Sequence, residues 1–526
     1  MNSNKSFLER NKKIIYNFNT NKTVLIIDRG RYISAIYQSI YSGAINKKYK
    51  YNVKAIVKNK KKILPIYKSF GDIELYGSSI LSSVKSIKLG IKGFFFILKN
   101  LKTLRKKNFD WFIHHFKISN INVGDLIYDT YIRYDHKYIK PKVDLSFLKI
   151  ILSTYVKLNL IRNFITNEDI KFIIVGEDSY SSIGALAIRL GIKYNIKTIE
   201  PKHDHAYRQF FTEYNKYKIK YGAYNFYYRY LKNDKSILNN FKLNNKKFQT
   251  FFDDRFKGKL KLGYTGIIDL LYANQNLKKD ISKKNLLKKL DLKNKKIDKI
   301  ILVGFHAFSD APHGQETDII FRDYYAYAKE TLQFLKKSKI KNTLFLAKPH
   351  PTRFFYNEHN LFENLYKEII DEEDNIKICP IDINTKNLLS ICDGVVTLKG
   401  TIAMEFACVG KPAVTCASTP FSKLNIMNEA STKKEYFDKI KKISLNNQKL
   451  TTHKKKKAQK VLYLLENILP DNYLGYSKIF DEKYLKRVML DKEQNIEHFF
   501  NKDFIKKANR IEFLKDSHIL KLLNKI

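Results

Sequence analysis

Cysteine is scarce in this chain of 526 residues: there are 4, and none precedes Cys379. A disulfide-stapled scaffold is excluded by that count. Cys379, Cys392, Cys408 and Cys416 are widely and unevenly spaced, and three of them sit in apolar strand-like or helical patterns. Structural zinc sites bring thiolates in as close pairs, so the expectation is reduced core cysteines and no metal. Long apolar runs are also missing. No stretch approaches the roughly 18 to 20 apolar residues a spanning helix needs. The opening MNSNKSFLERNKK has no apolar segment ahead of a cleavage site. The expected location is cytoplasmic.

Acidic residues are few: 51 Asp and Glu stand against 98 Lys and Arg, a formal charge of +47. Arginine accounts for only 14 of the bases, and lysine is abundant together with Ile, Asn, Tyr and Phe, the set encoded by AT-rich codons. Part of the basicity therefore reflects codon bias. Whatever its origin, such a surface favours anionic partners such as nucleotides, lipid headgroups or acidic glycans. Hydrophobic residues make up 44% and aromatics 14%, and apolar runs such as TVLII (23–27) recur, which excludes a disordered chain. The length suits two or three domains.

Strand, turn and helix signals alternate along two stretches, which predicts parallel α/β sheets. In the first, strands are expected at 23–28, 52–57, 111–116, 171–175 and 197–200, with helices from 34 and over 181–194. Residues 1–205 form an expected Rossmann-like domain, and 206–298 read as an aromatic and lysine-rich bridging segment and linker. A second Rossmann-like domain is expected at 299–430. Its strands are placed at 299–305, 343–347, 376–378, 394–398 and 412–416, with helices at 323–337, 360–370, 385–391 and 402–409. Residues 431–526 read as a basic helical tail. The expected architecture is two Rossmann-like domains facing a cleft.

Chemistry-bearing residues gather after the strands. In GVVTLKGTIAMEFACVGKP (394–412) a buried strand ends at Thr397, and Gly400 and Thr401 open a helix. Backbone amides there suit an anion, the Thr401 hydroxyl can donate, and Glu405 one turn on can accept from ribose hydroxyls. A capped helix with a solvated Glu405 is the plainer alternative. In LAKPHP (346–351), Lys348 can neutralise a phosphate and His350 can donate to it or move a proton, while two prolines stiffen the loop. VGFHAFSDAPHG (303–314) carries His306, Asp310 and His313, and no second cluster completes a metal shell, which favours acid/base or substrate contact. In the first half Asp28, Arg29 and Arg31 follow one strand, and Glu177, Asp178 and Tyr180 follow another.

KPHP, then TxxGTxxxE and GKP some fifty residues later, resembles the nucleotide-sugar half of bacterial capsule and surface-polysaccharide glycosyltransferases of the GT-B fold, including the capsular Kdo-transferase group. The likeness covers 299–440, with VGDLIYDTYIR (123–133) adding a weaker match. It implies that Lys348, His350, Thr397, Gly400, Thr401 and Glu405 hold a CMP-, UDP- or GDP-linked donor without a metal. It also implies that the acceptor binds the first half, where Arg29, Arg31, Asp125 and Tyr128 are candidates. Glu177, Asp178, His306 and Asp310 are the candidate catalytic residues. The implied reaction transfers a sugar to a lipid-linked or polymeric surface glycan, and an anionic membrane surface is a candidate partner. A nucleotide-sugar 2-epimerase or a CDP-glycerol-type polymer transferase on the same fold are the alternatives. No nucleic-acid partner is expected, since no RRM-, KH- or finger-like motif occurs beside the Tyr- and Lys-rich 214–232.

Overall fold

In a computed structural model, residues 14–465 are described except 31, 58–59, 78–83, 134–135, 178, 202–206, 211–212, 216–217, 221–237, 239–240, 257–280, 315–318, 351–352, 354–355, 384 and 420. The described residues divide into two compact units, one within 14–131 and 142–220, the other within 132–141 and 238–465.

The first unit is wound on a six-stranded sheet. Its strands are β1 (Lys22–Ile27), β2 (Asn52–Val57), β3 (Ile73–Gly77), β6 (Asp169–Val175), β7 (Lys197–Pro201) and β8 (Tyr207–Phe210), in the order β3-β2-β1-β6-β7-β8. Short hairpins β4 (Lys117–Ile118) with β5 (Ile121–Asn122), and β9 (Glu213–Asn215) with β10 (Lys218–Lys220), lie outside it. All neighbours are parallel except β7 and β8. Helices α1 (Tyr32–Tyr49) and α2 (Lys60–Ser69) carry the chain outward to β3. Four more, α3 (Val84–Lys106), α4 (Phe109–His115), α5 (Gly124–Ile132) and α6 (Leu145–Asn167), return it to β6, and α7 (Ile183–Lys193) leads on to β7. The inner strands read as near-continuous β-branched and apolar runs, and residues 23–27 are buried throughout, as a parallel sheet covered on both faces requires.

The second unit repeats the order as β13-β12-β11-β14-β15-β16, all parallel. Its strands are β11 (Lys299–Gly304), β12 (Thr343–Lys348), β13 (Ile376–Ile378), β14 (Gly394–Thr397), β15 (Ala413–Thr415) and β16 (Asn428–Glu429). Helices α8 (Asn245–Phe256) and α9 (Lys283–Lys289) precede it. The connecting helices α10 (Tyr324–Ser338), α11 (Leu361–Ile369), α12 (Thr385–Ile391) and α13 (Ile402–Cys408) follow, then α14 (Lys433–Leu445) and α15 (Thr452–Tyr463). The segment Ile132–Pro141 belongs to this unit: Tyr138 packs on Phe308 and Tyr325, and Arg322 donates to the Tyr138 carbonyl at 3.0 Å.

The sequence expectation differs from the structure at 111–116. WFIHHF reads as a strand by its aromatic content, but residues 111–115 lie on α4 and Phe116 is its C-cap. Asn108 caps this helix by accepting from the Trp111 amide at 2.8 Å, and Phe112 stacks on Phe116 and packs tilted against Phe147. An N-cap and a helical burial pattern override strand propensity here. Of the expected tail, α14 and α15 are described, and residues 466–526 lie outside the described residues.

Candidate functional site

In open parallel sheets of this order, ligands bind beyond the carboxyl ends of the strands where the winding reverses. The reversal lies between β1 and β6 in the first unit and between β11 and β14 in the second.

At the second reversal the register sets Gly304, the last residue of β11, between Lys348 of β12 and Thr397 of β14. Just past these strand ends two loop imidazoles stack with a tyrosine at the start of α10. His306 lies on Tyr324, with centroids 4.8 Å apart, and on its other neighbour His350, at 5.8 Å and nearly parallel. Lys399 places its ammonium 5.3 Å from the centre of the Tyr324 ring. The Nε2 of His306 is shut off from solvent and has no hydrogen-bond partner. Burial, then His350 and Lys399, hold the His306 imidazole well below its ordinary pKa. Burial also drives His350 down to about 4, against an upward pull from Asp310 and with a further push down from Lys348. Both imidazoles are therefore neutral at pH 7, and the positive charge at this edge comes from the lysines.

The loop after β11 is fixed by a residue that sequence reasoning missed. Glu358 accepts from the amides of Phe308 (2.8 Å) and Ser309, and burial raises its pKa. Arg133, which closes the VGDLIYDTYIR segment, sits with its guanidinium 4.2 Å from the Tyr356 ring centre. Tyr324 and Lys399 were missed as well. Their only signal was a tyrosine just inside a helix and a lysine inside the TLKGT turn.

Thr397 is buried, and its Oγ1 accepts from the Gly400 amide at 3.3 Å, which closes the turn. A Cβ at Gly400 would stand 2.9 Å from that oxygen, so the glycine is needed for the close approach. Thr401 is exposed and makes no side-chain cap bond to α13, a helix of only seven residues. Glu405 is buried and turned away to α8: its Oε1 accepts from Nε of Arg255 at 2.9 Å, with the other guanidinium nitrogen at 2.8 Å. Lys411 of GKP caps α12, donating to the carbonyls of Leu389, Ser390 and Cys392 at 2.7 to 2.8 Å. All four cysteines are buried, and burial raises the thiols of Cys379, Cys392 and Cys416.

At the first reversal Asp28 accepts from the Gly30 amide at 2.9 Å and lies 3.2 Å from the Tyr67 hydroxyl, which is 2.9 Å from Oε1 of Gln38. Gln38 in turn donates to the carbonyl of Ile27. Arg29 and Glu177 meet at 3.8 Å. The Glu177 carbonyl presses on α7, where a Cβ at Gly184 would come within 2.2 Å of it. Asp125 and Tyr128 lie elsewhere, in the interior. Both Asp125 oxygens accept from Arg189 at 2.7 Å, and Tyr128 packs beside Phe109. Arg31 and Asp178 lie outside the described residues.

No family model and no curated protein matches this chain. Among solved structures, a UDP-bound MnaA of S. aureus is similar at 11% identity over 90% of this chain and 98% of that one, with a TM-score of 0.26. A glycosyltransferase of Rickettsia africae reaches 11% over 90% and 100%, TM-score 0.28. KpsC of Thermosulfurimonas dismutans, a β-Kdo 2,4 transferase, reaches 10% over 56% and 80%, TM-score 0.28. None of these likenesses is strong enough to assign an activity.

Proposed function

We propose that the chain is a glycosyltransferase that moves a sugar from a nucleotide-sugar donor to a growing surface polysaccharide, with the donor held at the second unit's reversal. One observation carries this reading: Lys348, Thr397 and the His306–His350 stack share one sheet edge, and the Nε2 of His306 is enclosed there without a partner. The resemblance of KPHP and TLKGTIAME to surface-polysaccharide transferases points the same way.

Lysine charge at 348 and 399 offsets the negative charge that grows on the nucleotide phosphate as its bond to the sugar's anomeric carbon breaks. The acceptor oxygen forms the new bond to that carbon and gives up its proton. A neutral imidazole, His306 in this proposal, takes it, and Asp310 stabilises the charge that then develops on the His306–His350 stack. His350 and the Thr397 to Thr401 turn position the donor.

The test measures the melting temperature of the full chain with CMP, UDP and GDP, followed by transfer of labelled sugar to a glycan acceptor. A ligand at 100 times its Kd stabilises by about 2.7 kcal/mol, a shift of several degrees. If no nucleotide raises the melting temperature, the reading fails. Acceptor-independent inversion at the donor sugar's C2 would assign the epimerase alternative.

A further inference from the structure

Helix α3 has two apolar faces, and only one is covered. Ile97 and Leu104 are buried, and α3 packs on α6 so closely that a Cβ at Gly93 would stand 2.7 Å from Leu152. On the opposite side Ile87, Ile91, Phe94, Phe95 and Leu98 are 48–64% exposed. Their spacing of four, three, one and three residues keeps them on one stripe about 100° wide. Two aromatic rings at its centre meet edge to face at 6.0 Å. Isolated exposed apolar residues are ordinary, but a contiguous stripe marks an interaction surface.

Charge identifies the partner. Six lysines and Arg105 lie on α3, and it carries no acidic residue. Lys88, Lys92 and Lys99 are exposed and form a row along one flank of the stripe, while Lys102 continues it towards the C-terminal end. Two copies of this helix laid face to face would crowd these ammonium groups together, whereas an anionic lipid surface neutralises them. No helix among the described residues is long and apolar enough to cross a membrane, and a charged 23-residue helix about 34 Å long suits the interface plane.

We infer that α3 is an interfacial membrane anchor that lays its Ile87–Leu98 stripe into the headgroup region of anionic bilayers. This goes beyond the proposed reaction and stands on the first unit alone. Membrane contact by the Tyr-, Phe- and Lys-rich 206–232 is a separate expectation, and residues 206, 211–212, 216–217 and 221–232 of that segment lie outside the described residues.

The test is flotation of the full chain with vesicles of phosphatidylcholine alone or with 30% phosphatidylglycerol, at low and high salt. Wild type should co-float with anionic vesicles and release as salt rises. A triple Ile91→Ser, Phe94→Ser, Phe95→Ser variant should lose at least about tenfold in partitioning. A Lys88→Gln, Lys92→Gln, Lys99→Gln variant should lose up to about fivefold per lysine at low salt. All six positions are exposed, so melting temperatures should match wild type, and circular dichroism checks that each variant is folded. Wild type that fails to float overturns the proposal, as does a folded serine variant that floats unchanged. Sedimentation supplies a further arm: concentration-dependent dimers that the serine variant abolishes, without lipid binding, would assign the stripe to a second copy and overturn it too.

Discussion

The two sheets share one winding order, yet their reversal points are furnished in opposite ways. In the first unit Asp28, Tyr67 and Gln38 bond one another and the backbone, and Arg29 balances Glu177. In the second, two neutral imidazoles and a tyrosine stack beside lysines, and the His306 Nε2 is unpartnered. A saturated polar network rigidifies, while an enclosed unsatisfied atom next to positive charge is prepared for a ligand. Topology thus supplies the place, and the loops decide whether it is closed on itself or open to chemistry.

The largest effect tests whether the carboxylates are structural in both units. Asp125–Arg189 and Glu405–Arg255 are buried pairs, and removing one partner strands a charge. Asp125→Ala and Glu405→Ala should each cost about 3–5 kcal/mol in urea unfolding. The doubles Asp125→Leu with Arg189→Met, and Glu405→Leu with Arg255→Met, should recover most of it. If Glu405→Ala instead weakened nucleotide binding and left stability intact, the carboxylate would belong to the ligand site and the parallel between the units would break.

Next in size is the contrast between the reversal points themselves. His350→Ala should lower transfer by roughly 10²-fold, with little change in melting temperature. Arg29→Ala removes a partly exposed pair and should cost less than about 1 kcal/mol, with donor binding unchanged. Equal losses of donor binding in both variants would erase the distinction.

Acid should act on the second unit through the same imidazole. His350 falls from an unfolded value near 6.5 to about 4, so the folded state resists its protonation. The neutral ring carries no such penalty above pH 6.5, and the cost of protonating it in the folded state grows as pH drops from there to about 4. Wild type should lose about 1–3 kcal/mol more over that window than His350→Ala in urea titrations at stepped pH. The same pH slope for both would show that His350 is solvated.

Much of this fold was legible because its strands carry β-branched and apolar residues between turn signals: 52–57 and 376–378 match their strands residue for residue. The 109–115 helix was not, since aromatic content speaks for a strand until the Asn108 cap and its tertiary cluster are seen. In the site, Lys348, His350 and Thr397 were found because they follow apolar strands. Tyr324, Lys399 and Glu358 were not, because stacking and loop-pinning join residues 18 to 75 positions apart, and no local period records that. Arg255 escaped for the same reason, 150 positions from Glu405.

The smallest expected effect separates the two helices that begin beyond the fourth strand of each sheet. Ser182 caps α7, its hydroxyl accepting from the Ala185 amide at 3.1 Å, whereas Thr401 stands exposed before α13 with no such bond. Ser182→Ala should therefore cost about 1 kcal/mol of stability and leave donor binding alone. Thr401→Ala should cost only a few tenths of a kcal/mol, since no cap bond is lost, and should reduce the nucleotide-induced rise in melting temperature. Paired melts with and without nucleotide read both quantities at once. If Thr401→Ala destabilised the apo protein as much as Ser182→Ala does, its hydroxyl would be an ordinary cap, and the second reversal would be furnished like the first.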